Sequence, residues 1–140
     1  MLNRELIELA YQARENAYAP YSHFQVGAAL LTKSGKVYTG CNIENASFGA
    51  TNCAERTAFF KAVSEGEKEF SMMAIVGGKE GEPESGQNGQ PCAPCGICRQ
   101  VIMEFCNPEE FQILLEDGKG GVKSYLLKEL LPLGFGPDNL

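Results

Sequence analysis

The strongest constraint on the fold is the run Met72-Met73-Ala74-Ile75-Val76, apolar at every position and closed by Gly77 and Gly78. A strand with one wet face alternates apolar and polar residues. An uninterrupted apolar run of this length fits a strand covered on both faces. A central strand is therefore predicted, and the segments around it supply its neighbours. Before it, "FQVGAALLT" and "KVYTGCNIE" flank Ser34-Gly35 and read as a hairpin. After it, "FQILLED" and "VKSYLL" read as two further strands.

Helical patterns alternate with these strands. Leu2, Leu6, Leu9, Ala10, Ala13 and Ala17 recur at three- and four-residue spacing, which predicts an amphipathic helix over residues 2 to about 17, ending before Ala19-Pro20. "CAERTAFFKAVSEG" carries Ala54, Ala58, Phe59, Ala62 and Val63 in helical register, with Thr51 or Asn52 as a candidate cap and Gly66 as a stop. "CRQVIMEF" places Val101, Ile102 and Phe105 on one face, and "LKELL" reads as a last short helix cut off by Pro132. Residues 77 to 94 have no apolar period and are expected to form a surface loop. Helices interleaving with a sheet make this an α/β chain. At 140 residues, with 44% hydrophobic and 21% charged, residues 1–140 are expected to form one domain with a core of its own.

The charge balance removes several classes of function. A formal net charge of -6 and the absence of any Lys/Arg run argue against a nucleic-acid partner and an anionic membrane surface. Charges at Arg4 and Glu5 interrupt the place where a secretory signal needs its apolar stretch, and no apolar run reaches membrane-spanning length, so a cytoplasmic location is expected. In a reducing compartment the six cysteines read as metal-binding or catalytic residues rather than a disulfide framework.

Cys95-Gly96-Ile97-Cys98 stands where a helix begins, and free amides and the helix dipole favour thiolates there. Cys53 begins another helix. Three thiolates between two helix N-termini fit a catalytic zinc site, in which three protein ligands leave the fourth position to water. Glu55 lies two residues after Cys53, and a carboxylate beside such a water can take and return a proton. Positions i and i+2 do not share a helix face, so Cys53 must sit at the cap and Glu55 within the first turn. Arg56 would offset the excess negative charge of three thiolates on one zinc ion.

Other readings remain open on spacing alone. A C-x-x-C pair also serves as a redox pair or as half of a structural zinc site, and Glu-Arg on a helix is commonly a solvated face. "PCAPCGIC" contains two overlapping Pro-Cys-x-x-Cys frames, and Cys92 is near enough in sequence to close a four-cysteine structural site. His23, the only histidine, precedes a strand and is expected to be exposed rather than a ligand.

The pattern Cys-Ala-Glu followed by Pro-Cys-x-x-Cys at the mouth of a later helix is a signature of zinc deaminases. With "FQVGAAL", "GCNIENASF", "NCAERTA", "PCGICRQ" and "ELLP", the chain resembles the small cytidine deaminases from about Ala17 to its C-terminus. The resemblance implies a three-layer α/β/α sandwich with a mixed central sheet, one zinc ion per subunit and a homotetramer with shared active sites. It further implies hydrolysis of cytidine and deoxycytidine to the uridine forms with release of ammonia. Residue by residue, Cys53, Cys95 and Cys98 match metal ligands and Glu55 the proton-shuttling acid. Asn42 and Glu44 match a pair that holds the ribose, with strand spacing i and i+2 agreeing. Ala54, Phe24 and Phe135 match substrate contacts, Phe135 reaching from a neighbouring subunit. Phe48 stands where several relatives have tyrosine, and "SGQNGQPCA" looks like an insertion that brings in Cys92.

Zinc lowers the pKa of a bound water from about 15.7 to near 7, which makes a hydroxide nucleophile available at neutral pH. No other cofactor is expected. A deaminase of a related nucleoside or nucleoside antibiotic would use the same zinc and glutamate with a changed pocket. A non-catalytic structural zinc module is the alternative outside enzymology. A nucleotide substrate would need clustered cations for its phosphate, and none stand near these motifs.

Overall fold

The uninterrupted apolar run becomes the middle of the sheet. In the computed structural model, which describes residues 1–82 and 91–140, nine helices and strands are named: α1 (Asn3–Arg14), β1 (Phe24–Thr32), β2 (Val37–Cys41), α2 (Ala54–Ser64), β3 (Phe70–Lys79), α3 (Gly96–Phe105), β4 (Gln112–Glu116), β5 (Val122–Leu126) and α4 (Leu127–Leu130). The strand order is β2-β1-β3-β4-β5, with β3 central. Only β3 and β4 run parallel, and α3 is the crossover such a pair requires.

Strand alternation divides the core into two layers. Ala28, Leu30, Met73, Ile75, Ile113 and Leu115 face α2 and α3, together with Phe59, Ile102 and Phe111. Ala29, Ala74, Val76 and Leu114 point the other way, onto Leu6, Ile7, Ala10 and Tyr11 of α1. The result is a three-layer α/β/α arrangement around a mixed sheet. Phe59 anchors the α2 side, with ring centroids 5.0 Å from Phe70 and 6.1 Å from both Phe105 and Phe111. These are favourable aromatic separations.

Two glycines let the helices approach. A Cβ at Gly27 would stand 1.9 Å from the Ala10 carbonyl oxygen of α1, and one at Gly40 would stand 2.4 Å from the Ala54 carbonyl oxygen of α2. Neither position can carry a side chain without moving a helix. Gly27 seats α1 on one face, and Gly40 seats the start of α2 on the other.

Four local expectations change. Helix α1 ends at Arg14 instead of running to about residue 17, because Tyr18 is drawn into backbone hydrogen bonds with Asn42 and Glu44. Strand β3 continues through Gly77 and Gly78 to Lys79, where a loop was expected, because Phe24–Val26 of β1 extends the antiparallel ladder. Strand β2 stops at Cys41, so Asn42 and Glu44 lie beyond the strand, flanking Ile43, which bridges to Tyr18 and Asn52. The cap of α2 is neither Thr51 nor Asn52, whose backbone is committed to that bridge with Ile43, but Cys53, as its pairing with Glu55 required. The expected insertion "SGQNGQPCA" falls largely on residues 85–90, outside the described residues. No helix among the described residues is long and apolar enough to cross a membrane.

Candidate metal centre and active site

Helices α2 and α3 begin side by side, and each begins on a cysteine. Cys53 and Cys95 are N-caps in extended conformation, neither using its side chain to cap the helix. The sulfurs are therefore free to point outward. Cys98 follows in the first turn of α3 and is fully buried, while Cys95 is exposed. The three Sγ atoms lie within 4.8 Å of one another, with Cys53 and Cys95 3.7 Å apart. A tetrahedral zinc with Zn–S near 2.3 Å separates its sulfurs by about 3.8 Å. The donor set fits one such ion and leaves an open side toward solvent at Cys95.

Electrostatics mark the same place. The Cys53 thiol is held well below its usual range, first by the hydrogen bond it accepts from Cys98 and further by Arg56 and Cys95. Cys98, the donor in that bond, is pushed up correspondingly. An Arg56 Nη donates to Cys53 Sγ at 3.4 Å and to the Thr51 carbonyl at 3.4 Å. The guanidinium thus sits against the sulfur whose charge it offsets.

Glu55 lies in the first turn of α2 and is only 4% exposed. Burial pushes its carboxyl up to about 7, and the negative charge of Cys53 adds to this. A carboxyl near 7 can both accept and release a proton at neutral pH. Because Cys53 is a non-helical cap, it and Glu55 escape the opposed directions that i and i+2 would have inside a helix.

Cys92 is not one of the three clustered sulfurs. Its Sγ and the edge of the Phe24 ring both stand over Gly77, and burial pushes its thiol up to about 12. The closed four-cysteine site is therefore absent among the described residues, and of the two overlapping frames the later one converges. His23 is exposed and pairs with Glu80 at 2.9 Å, away from the sulfurs' cluster.

The residues matched to substrate contacts are distributed as follows. Asn42 spends its amide on β1, accepting from the Val26 amide at 2.9 Å and donating to the Phe24 carbonyl at 2.9 Å. Glu44 accepts from the Tyr21 and Ser22 amides at 2.9 and 3.1 Å and from the Ser22 hydroxyl. Those bonds hold its carboxyl below the usual range, the hydroxyl contributing most. Ser22 Oγ in turn accepts from the Phe24 amide at 3.0 Å, so Asn42 and Glu44 both fasten the segment that carries Phe24. Glu44 also borders a cavity of about 380 Å³ with Tyr21, Phe48 and Thr51. Ala54 is fully buried at the start of α2. Phe135 is 58% exposed and accepts a hydrogen bond from Gln100 through its carbonyl.

Three contributors escaped sequence reasoning. Ser22 links Glu44 to Phe24 but looks like any loop serine. Arg99 donates to the Pro94 carbonyl at 2.7 Å and to the Leu130 carbonyl, tying the approach to Cys95 onto α4. Gly40, next to Cys41, had a readable signal in a glycine placed within a strand pattern.

A three-layer α/β/α chain in which two helix N-termini present three cysteines, with a buried carboxyl beside them, defines a class of metal-site α/β proteins. Comparison with known sequences narrows the class. Residues 2–114 match the family described as cytidine and deoxycytidylate deaminase zinc-binding region. A cytidine deaminase of Sporosarcina psychrophila is 48% identical over 136 residues, covering 97% of this chain and 93% of that protein. The crystal structure of a cytidine deaminase from Burkholderia pseudomallei superposes with a TM-score of 0.82 at 48% identity, covering 96% of this chain and 100% of that one. A blasticidin-S deaminase of Bacillus cereus is 32% identical over 131 residues, 94% of this chain and 90% of that protein. The chain belongs to the cytidine and deoxycytidylate deaminase zinc-binding family.

Proposed function

We propose that this chain is a single catalytic domain that hydrolyses cytidine and deoxycytidine to uridine and deoxyuridine, releasing ammonia. The observation that carries the reading is Glu55: a buried carboxyl, raised to about 7, in the turn that follows Cys53, in a chain of this family. Cys53, Cys95 and Cys98 would hold one zinc ion, which when bound would supply a water acidified enough to act as the nucleophile. Arg56 stabilises the Cys53 thiolate. Glu55 takes a proton from the attacking water and passes it to N3 of the pyrimidine as the bond to C4 forms, then carries the remaining proton of the new C4 hydroxyl to the amine as the C4–N bond breaks. Water and cytidine thus become uridine and ammonia with no net change in protons on the enzyme. Phe24 faces the base, the Ala54 backbone lies at its edge, and Asn42 and Glu44, held in place by their own neighbours, bind the ribose hydroxyls. Six free cysteines fit work in the reducing cytoplasm.

Loading the protein with zinc and following the ultraviolet change on conversion of cytidine to uridine tests this directly. The expected result is turnover of cytidine that exceeds turnover of blasticidin S. The reverse order would move the assignment to the antibiotic class, and zinc binding without either activity would leave a structural module.

We further propose a homotetramer with shared sites. Phe48, Phe60, Ile97 and Phe135 are large apolar side chains left exposed in one chain, and such surface is ordinarily covered by a partner. Phe135→Ala and Glu55→Gln proteins, each weakly active alone, should recover activity when mixed under subunit exchange. Exchange without recovery would rule out the shared site.

A further inference from the structure

Gly77 sits inside β3, where glycine weakens a strand and commonly marks a close approach. The approach here comes from two side chains. A Cβ at Gly77 would lie 2.7 Å from Cys92 Sγ and 3.0 and 3.2 Å from two carbons of the Phe24 ring. Register explains how the ring arrives. Gly77 pairs with Val26, so Phe24, two residues earlier in β1, is its diagonal neighbour on the same face, within reach of an aromatic side chain. That face is the one toward α2 and α3, because Val26 and Cys92 both pack against their cluster. Phe24, Gly77, Lys79, Pro91 and Cys92 line a notch of about 230 Å³. The Cys92 thiol, outside the metal cluster, is buried enough to stay neutral and acts there as a packing atom.

We propose that Gly77 and Cys92 are positioning residues for substrate: the sulfur fills the space that a side chain at 77 would take, and together they set the angle of the Phe24 ring. This rests on the reading of Phe24 as the residue that faces the pyrimidine. The two positions are complementary in size, so they must be changed together to be tolerated. Gly77→Ala drives the ring and the sulfur outward. Cys92→Ala leaves the ring unsupported. In Gly77→Ala/Cys92→Ala the new methyl takes the room the sulfur vacated, and the ring need move only a few tenths of an ångström.

The test measures KM and kcat for cytidine, with bound zinc, on zinc-loaded full-length variants. A methylene-sized change in an apolar pocket is worth roughly 10- to 200-fold. Each single variant is expected to raise KM about tenfold with kcat within about twofold and one zinc per chain retained. The double variant should show a smaller KM than Gly77→Ala alone, and Cys92→Val, similar in size to cysteine, should stay closer to the parent than Cys92→Ala. A purely structural role would lower kcat, zinc content and thermal stability together and make the double variant the worst. Phe24→Ala separates the two levels of argument. If it raises KM while Cys92→Ala leaves KM unchanged, or while the double variant is additive, the positioning role is overturned and the base-facing role stands. If Phe24→Ala leaves KM unchanged, both are overturned. Should Gly77→Ala not fold, the comparison of Cys92→Ala with Cys92→Val decides alone.

Discussion

The two faces of the sheet are built from the same strands and differ in what the helices bring to them. On one face α1 lies along the sheet by its flank, with Leu6, Ile7 and Ala10 buried. A buried polar cluster there joins Tyr11 to Glu116, with Arg14 beside the Tyr11 ring and donating to the Lys79 and Glu82 carbonyls. Tyr11, Glu116 and the Arg14 Nη are partnered to each other and to backbone, while the buried Arg14 Nε has no hydrogen-bond partner among the described residues. On the other face α2 and α3 are also seated by apolar residues, yet each is capped by a cysteine whose sulfur makes no capping hydrogen bond to its helix. Chemistry sits where helix ends converge, because unpaired amides and dipoles are concentrated there, while a helix flank offers only packing.

The largest test of that contrast is removal of a sulfur. Cys98→Ala or Cys95→Ala should lose the zinc and bring turnover to background, while Cys92→Ala, also on this face but outside the cluster, should retain one zinc per chain and kcat near that of the parent. Metal analysis beside a cytidine assay reads both. Loss of zinc from Cys92→Ala with retention in Cys98→Ala would reverse the frame assignment.

Next in size is Glu55→Gln. General acid–base catalysis is worth roughly 100- to 10,000-fold, and Glu55 is asked to move a proton more than once, so kcat should fall by at least that much with zinc and fold intact. Parent-like kcat in a zinc-replete variant would remove Glu55 from the mechanism.

The smallest effect sharpens the comparison most. Gly27→Ala and Gly40→Ala both push a methyl into a helix backbone, and overpacking of this kind costs about 1–3 kcal/mol or more. Thermal unfolding should register both. Only Gly40→Ala should also weaken zinc binding, since the atom it strikes belongs to Ala54, next to Cys53; Gly27→Ala moves α1 and should leave zinc affinity untouched. Equal losses of zinc would mean that the two faces are not independent.

Much of this arrangement was readable from the chain. Met72–Val76 gave the central strand because burial on both faces erases alternation within a single segment. Cys53 and Cys95 read as helix starts because helical periodicity begins just after each. What failed was local continuation. Asn42 and Glu44 follow β2 with unbroken strand-like spacing, but their side chains tie down the 21–26 segment rather than extend a strand face. Gly77 and Gly78 look like a loop by composition and are held in β3 only because β1 lies opposite them.

The sequence by itself determined the element types, the donor set and the carboxylate beside it, since periodicity, capping and ligand spacing are written within one or two turns of chain. The tertiary structure decided that the three candidate sulfurs converge, that Cys92 stands over Gly77 instead of joining them, and that Glu55 is desolvated to about 7. Those outcomes depend on groups as far apart as residues 53 and 95 meeting in space. Local pattern carries no record of that distance, because burial and convergence are properties of packed layers rather than of any one segment.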